Sequence, residues 1–305
     1  EVFALMSIIV VGSSAFDDIK TPRGSRKRIV GGSCIYFSFA ASLKSRVKIV
    51  SVVGKDFPQK IVKTLNKKNV STDGLVVQKG KTFSWGGVYN TFSEDPETKF
   101  TKLNVFEDFS PEIPDSYPSK AILFLANIDP TLQNSVLDLY PSSRVVGMDT
   151  MNFWINSKRK ELFKVLKRVD ILTINELELR LIAKKNSMKE CFNVLLYDFG
   201  IRFLIIKRGS SGSMLVTKKT LKWVPSYPFC DVYDPTGAGD SYAGALFSCL
   251  DKEKVINEKT ITKGMLYASA MSSFTIEKFG IENLANLSKT KIIARVKILK
   301  EISKL

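Results

Sequence analysis

Short apolar runs rich in β-branched residues alternate along the chain with segments whose apolar positions recur every three or four residues. "SIIVVG" (residues 7–12) reads as a buried strand ending in glycine, and "SCIYFSFAASL" (33–43) as a mostly buried helix opened by Gly31 and Gly32. "VKIVSVVG" (47–54) is a strand and "FPQKIVKTLNKKN" (57–69) an amphipathic helix. "AILFLAN" (121–127), "RVVGMDT" (144–150), "DILTIN" (170–175) and "RFLIIKRG" (202–209) follow. Each ends in polar or glycine residues, and helical patterns follow most of them. This alternation predicts an α/β protein: a doubly wound, mostly parallel sheet with helices on both faces. Such sheets bind ligands beyond the carboxyl ends of their strands, where Gly12, Asn127, Asp149, Asn175 and Gly209 fall.

Two segments interrupt the alternation. Residues 13–30 are polar and basic, and residues 83–106, "FSWGGVYNTFSEDPETKFTKLNVF", predict two or three antiparallel strands with a turn at "SEDPET". Together, about 13–30 and 83–108, they are expected to form a small β-lid over the edge of the main sheet. With no low-complexity linker or internal repeat, residues 1–305 read as one domain carrying this insertion.

Composition narrows the chemistry. The 305 residues contain no histidine, which excludes Ser-His-Asp and Cys-His mechanisms and any histidine base or ligand. Acid–base work falls to Asp, Glu, Lys, Tyr or Cys. Cys34, Cys191, Cys230 and Cys249 lack metal or redox spacing and suit reduced thiols in a cytoplasmic protein. No apolar run reaches the ~18 residues of a membrane span, so no membrane partner is expected. The start "EVFALMSIIVVG" lacks the pattern of a secretory signal, and Met6 is a candidate initiator. The net charge of +16 is carried mainly by dispersed lysines with no nucleic-acid motif, so it predicts a solvated surface and no nucleic-acid partner.

The most informative stretch is "DPTGAGDSYAGALFSCL" (234–250), a glycine-rich turn running into a helix. The Walker A pattern is absent. "GAGDSYAG" is not a dinucleotide fingerprint either, having four residues between its second and third glycines. A helix start presents N–H groups to anions. The amides of Gly237, Ala238 and Gly239 would seat a moving phosphoryl group, with Asp240 as the base for the attacking hydroxyl. The competing reading makes Asp240 a helix cap and the glycines a plain turn.

"DPTGAGDSYAGAL" resembles the C-terminal signature of the ribokinase-like (PfkB) carbohydrate kinases, and other motifs follow in the family's order over essentially the whole chain. "VVGSSAFDDI" resembles the family's first strand with its substrate-binding aspartate, here Asp17. "GGSCIYFSFAAS" resembles the N-terminal signature, with Gly31 and Gly32 at the sugar. "TINELE" carries the N-x-x-E motif as Asn175 and Glu178, implying Mg²⁺ and phosphate held through water. "KRGSSGS" resembles the nucleotide-binding turn, placing Lys207, Gly209 and Gly212 with the nucleotide. "SFTIEKFG" resembles the segment lining the adenine and a monovalent cation site. The resemblance implies a ribokinase-like fold, ATP and Mg²⁺, and Asp240 as base with Gly237, Ala238 and Gly239 as anion hole. It also implies a K⁺ site involving Asp234 and Thr236, and a homodimer through the lid.

One departure bears on the acceptor. Where the family's sugar kinases carry an asparagine four positions after the glycine pair, this chain has Tyr36, which implies a reshaped substrate pocket. Phe83, Trp85 and Tyr89 would either stack on a substrate ring or pack the lid. "NVFEDFSP", "LANIDPTLQ" and "DTMNFWI" resemble segments of one subgroup of the family. The expected activity is ATP-dependent phosphorylation of a hydroxyl on a sugar-like molecule. A nucleoside kinase of the same fold and a non-catalytic ligand-binding regulator are the alternatives.

Overall fold

The computed structural model describes residues 7–92 and 94–303, so Met6 lies outside the described residues. β1 (Ile8–Val11) leads through the hairpin β2 (Ala15–Thr21) and β3 (Gly24–Gly31) into α1 (Ser33–Ala41) and β4 (Val47–Gly54). α2 (Gln59–Lys67), β5 (Val70–Gln78), β6 (Phe83–Val88), β7 (Glu97–Lys102) and β8 (Ile122–Leu125) follow. Then come α3 (Pro130–Leu139), β9 (Val145–Asp149), α4 (Asn152–Ser157), α5 (Arg159–Leu166) and β10 (Ile171–Asn175). α6 (Glu176–Ala183), α7 (Met188–Asn193), β11 (Phe203–Lys207), β12 (Ser213–Val216) and β13 (Leu221–Val224) precede the last helices. These are α8 (Ala238–Leu250), α9 (Glu258–Thr275), α10 (Glu282–Asn286) and α11 (Lys289–Ser303).

Nine strands form the main sheet in the order β13-β12-β11-β10-β9-β8-β1-β4-β5, parallel except where β12 pairs antiparallel with β11 and β13. All the strands expected from the apolar runs are present. β5, β12 and β13 add to them: β5 and β13 are partly exposed and β12 is only four residues long, so none carries the long continuous apolar signal of a doubly covered strand. The period of two decides the layers: Ile8 and Val10 of β1 point into one core, and Ile9 and Val11 into the other. The first core takes α1, α8 and α9; there Phe37 stacks on Phe124 at 4.5 Å, and Phe247 lies 4.9 Å from Phe124. The second takes α3, α5 and α6. From β1 the chain builds outward through β4 and β5, then resumes on the other side at β8. The crevice between β1 and β8 is therefore a topological switch point.

The two interrupting segments combine into one four-stranded sheet, order β3-β2-β6-β7. β2 pairs antiparallel with β3 but parallel with β6, while β6 and β7 are antiparallel. Two strands arise from residues 83–106 among the described residues, and a short turn of helix at Asn104–Phe106 ends the segment. The expected turn at residues 93–98 overlaps the connection between β6 and β7, with Ser93 outside the described residues. This second sheet is tied to the main body by Thr21 Oγ1 donating to the Tyr233 carbonyl at 2.8 Å. Arg28 pairs with Asp56 at 3.1 Å. Among the described residues no helix is long and apolar enough to cross a membrane.

Candidate functional site

The site forms where β1, the second sheet and the start of α8 meet. Asp234 is fully buried and acts as the staple of the loop before α8. Its Oδ1 accepts the Thr236 N–H at 2.9 Å and its Oδ2 the Gly280 N–H at 3.0 Å, while the Ile276 carbonyl accepts the N–H groups of Tyr233 and Asp234. Two distant loops are thus locked around one carboxylate. Gly237 follows at φ +75°, a conformation that strains any residue with a side chain, and α8 begins at Ala238. Asp240 sits in the first turn, where the helix dipole favours a carboxylate. Gly237 is the N-cap residue and Asp240 lies at the third helical position.

Asp17 on β2 faces this helix start across a narrow gap. The gap is kept open by Gly31, where any side chain would strike the Asp17 carboxylate, and by Gly237, where it would strike the Tyr36 ring. Tyr36 is 1% exposed and its hydroxyl is buried without a hydrogen-bond partner. Tyr89, from the end of the second sheet, hydrogen bonds through its hydroxyl to Thr236 Oγ1 at 3.2 Å. The other two aromatics pack on protein neighbours of the second sheet and the helical turn after it. Phe83 lies 5.6 Å from Phe106, and Trp85 Nε1 donates to Thr98 Oγ1 at 3.2 Å.

Burial and crowding of acids set the electrostatics. Burial first, then the charges of Asp234, Asp240 and Asp18, push the Asp17 carboxyl up to about 8. Burial also raises Asp240 to about 7, helped by Asp149 and opposed by Lys207. The Tyr36 hydroxyl is pushed well above the usual phenol range by burial and by Asp17. A carboxylate poised near neutrality suits proton abstraction.

On the other side of Asp240, Lys207 at the end of β11 reaches over β10 to Asp149 at the end of β9, with Nζ 2.9 Å from Oδ2. Glu178 and Asn175 form a reciprocal cap at the start of α6: each backbone N–H donates to the other's side chain at 2.7 Å. Burial raises the Glu178 carboxyl, with Asp149 adding to the effect and Lys207 opposing it. Asn175→Ala is expected to cost about 1 kcal/mol in a denaturant titration; an unchanged midpoint would show that the cap carries no stability. Gly209 and Gly212 shape the turn after β11, at φ +53° and +85°. Arg208 N–H closes that turn on the Gly212 carbonyl at 2.8 Å.

The structure thus brings Asp17, Gly31, Gly32, Tyr36, Asp234, Thr236, Gly237, Ala238, Gly239 and Asp240 to one place. Lys207 and Glu178 stand beside it. Asp149 was noticed in the sequence only as a strand end. Its partnership with Lys207 spans 58 residues, and the parallel order of β9, β10 and β11 was the one signal that could have found it. For Mg²⁺, which keeps much of its water shell, the relevant donors are Glu178 and Asp149. Among the described residues no group of three or more acidic or thiol side chains is placed to hold a metal ion by itself. Asp234 and Thr236 offer only oxygen atoms, as a hard monovalent cation prefers, although both Asp234 oxygens already accept backbone N–H groups.

Comparison with known proteins places these features in context. The family model described as pfkB family carbohydrate kinase matches residues 37–286. The cytidine kinase of Thermococcus kodakarensis is 25% identical over 261 residues, which span 83% of this chain and 92% of that protein. The crystal structure of a nucleoside kinase from Methanocaldococcus jannaschii superimposes with a TM-score of 0.76 at 20% identity, covering 96% of this chain and 98% of its own. A fructokinase from Vibrio cholerae O395, in its fructose, ADP and calcium ion bound form, gives a TM-score of 0.75 at 19% identity, covering 96% and 99%.

Proposed function

Because the chain belongs to the pfkB family of carbohydrate kinases, a phosphotransferase with a hydroxyl acceptor, we propose that Asp240 is its general base and that Gly237, Ala238 and Gly239 form its anion hole. The observation that carries this reading is the juxtaposition at the start of α8. A carboxylate raised to about 7 stands one residue beyond a backbone turn of two glycines and an alanine, with Asp17 facing it. The acceptor hydroxyl gives its proton to Asp240 while its oxygen attacks the terminal phosphorus of ATP. The bond from that phosphorus to the bridging oxygen breaks, and ADP leaves. Ala238 N–H is donated to the Pro235 carbonyl at 3.2 Å, a long bond with which an incoming phosphoryl oxygen competes.

Asp17, with Gly31 and Gly32 beside it, orients the acceptor, and the four-stranded sheet acts as a lid that excludes water from the transfer. Asn175, Glu178, Lys207, Gly209 and Gly212 bind the nucleotide. Mg²⁺ bound with the nucleotide, held through water by Glu178, would neutralise charge on the phosphates. Potassium at Asp234 and Thr236 would stiffen the anion hole. Dimerisation through the lid is proposed on resemblance, and a mass by light scattering tests it.

The acceptor is a sugar or sugar-like molecule or the sugar of a nucleoside. The nucleoside reading is favoured by the cytidine kinase, which matches this chain across most of both lengths. ADP release with Mg-ATP and K⁺ across pentoses, hexoses, their phosphates and nucleosides decides between them; no turnover on any acceptor would overturn the catalytic reading. Tyr36→Phe then tests the pocket. Its hydroxyl is buried and unpartnered until an acceptor supplies a partner, so its loss is expected to raise the acceptor KM about tenfold and leave the ATP KM unchanged. An unchanged acceptor KM would mean that the hydroxyl touches no substrate.

A further inference from the structure

The last helix, α11, buries two of its own residues, Ile292 and Leu299. Arg295 lies on the same face, three residues after the first and four before the second, and beyond the last residue that the family model matches. Its guanidinium sits 3.6 Å from the centre of the Phe274 ring and 4.5 Å from that of Tyr227. Nη1 donates to Ser273 Oγ and Nη2 to Glu277 Oε1, each at 2.7 Å. A plain structural account would have Arg295 merely dock α11. That account leaves unexplained where its partners fall. Ser273 and Phe274 belong to the last turn of α9, and Glu277 follows two residues after its end. The same stretch grips the glycine turn before α8 from both sides. Ahead of the turn, the Ile276 carbonyl accepts the N–H groups of Tyr233 and Asp234. Past it, Ser272 Oγ donates to the Ala238 carbonyl at 2.9 Å, and Thr275 Oγ1 donates to Ser241 Oγ at 2.7 Å. Tyr227, the fourth partner, lies in the connection from β13 that leads into the turn. The end of α9 is thus held by Arg295 through one set of residues and holds the glycine turn through another. A planar cation that stacks on rings while forking two N–H donors suits this task, and an ammonium could not do both.

We propose that Arg295 is a positioning residue for phosphoryl transfer: from α11 it fixes the last turn of α9, which sets the backbone of Gly237, Ala238 and Gly239. This rests on the reading of those three residues as the phosphoryl seat. Arg295 acts through Ser273, Phe274 and Glu277 and needs no contact with substrate. The seat stabilises the phosphoryl group in transit, so a displaced seat lowers kcat and leaves binding of the ground-state substrates almost untouched.

The distinguishing property is a split between kcat and KM, read as ADP release by the full chain with Mg-ATP and K⁺. The acceptor is whichever pentose, hexose, sugar phosphate or nucleoside the wild type turns over fastest, and kcat is taken per folded molecule. Arg295→Met, which keeps the length of the side chain, is expected to lower kcat about 10- to 100-fold with both KM values within about threefold. Arg295→Lys should recover only part of the loss. Should Arg295→Met fail to fold, Glu277→Ala removes one of the two hydrogen-bond partners and leaves the ring contacts in place; a smaller fall in kcat, again without a change in KM, is expected. A lowered melting temperature with kcat at the wild-type value in the variant that folds overturns the proposal, and so does a raised ATP KM with kcat preserved. In either case Asp240→Asn would still be inactive, so the catalytic reading survives. If the wild type turns over no acceptor, that reading fails and takes this inference with it.

Discussion

Asp240→Asn is expected to lower kcat by about 10²- to 10⁴-fold while leaving nucleotide affinity within a factor of a few. The amide is nearly the same size and keeps the turn of α8, but it cannot take a proton. A purely structural Asp240 would show the opposite split, with thermal stability falling and kcat preserved in the molecules that remain folded. The pH profile supplies an independent check. Asp240 must be ionised to act, and burial has raised it to about 7. Therefore kcat/KM should fall as pH drops through about 7 and be flat well above it. An acid limb near the ordinary carboxylate value would show that another group is the base. In Asp240→Asn the limb should vanish along with most of the activity.

The second large effect concerns Gly237. Its φ of +75° is a left-handed conformation, and a side chain there would also drive into the Tyr36 ring. Gly237→Ala therefore has two costs: about 1–2 kcal/mol of backbone strain and a displacement of the turn or of Tyr36. Losing the geometry of one oxyanion donor typically costs about 10²- to 10³-fold in kcat. The expected outcome is a loss of that size with a moderately lowered melting temperature. Gly237→Ala/Tyr36→Ala separates the causes. Removing the ring relieves the clash but not the φ strain, so the double variant should regain part of the stability lost by Gly237→Ala. If the single variant is as active as wild type, the Gly237 amide is not part of the hole.

Tyr36 connects these predictions to the substrate. Its ring is wedged between Gly31, beside Asp17, and Gly237. One side chain therefore touches both the strand end beside Asp17 and the glycine turn before α8. From the sequence, Tyr36 in place of the family's asparagine implies a reshaped substrate pocket, without saying what the ring packs against. The structure shows that the tyrosine ring fills the space between Gly31 and Gly237.

Several features were legible before any coordinates because they are local. Strands such as β4, buried on both faces, are largely apolar along their length, and residues 47–54 read as that strand from the sequence. The glycine turn before α8 and the Asn175–Glu178 cap are encoded within a few residues, since turns and caps satisfy backbone groups with near neighbours. The absence of histidine confined proton transfer to carboxylates, lysine, tyrosine and cysteine without any geometry. What tertiary structure alone decided is everything that depends on two distant segments meeting. β6 lies parallel to β2, which nothing local specifies. Tyr89 reaches Thr236 across 147 residues, and Lys207 finds Asp149 across an intervening strand. The raised carboxylates belong to the same class. Asp17 and Asp240 are ordinary acids in the sequence, and only folding removes their water and brings their charges together, which makes the ionised forms costly enough to titrate near neutrality.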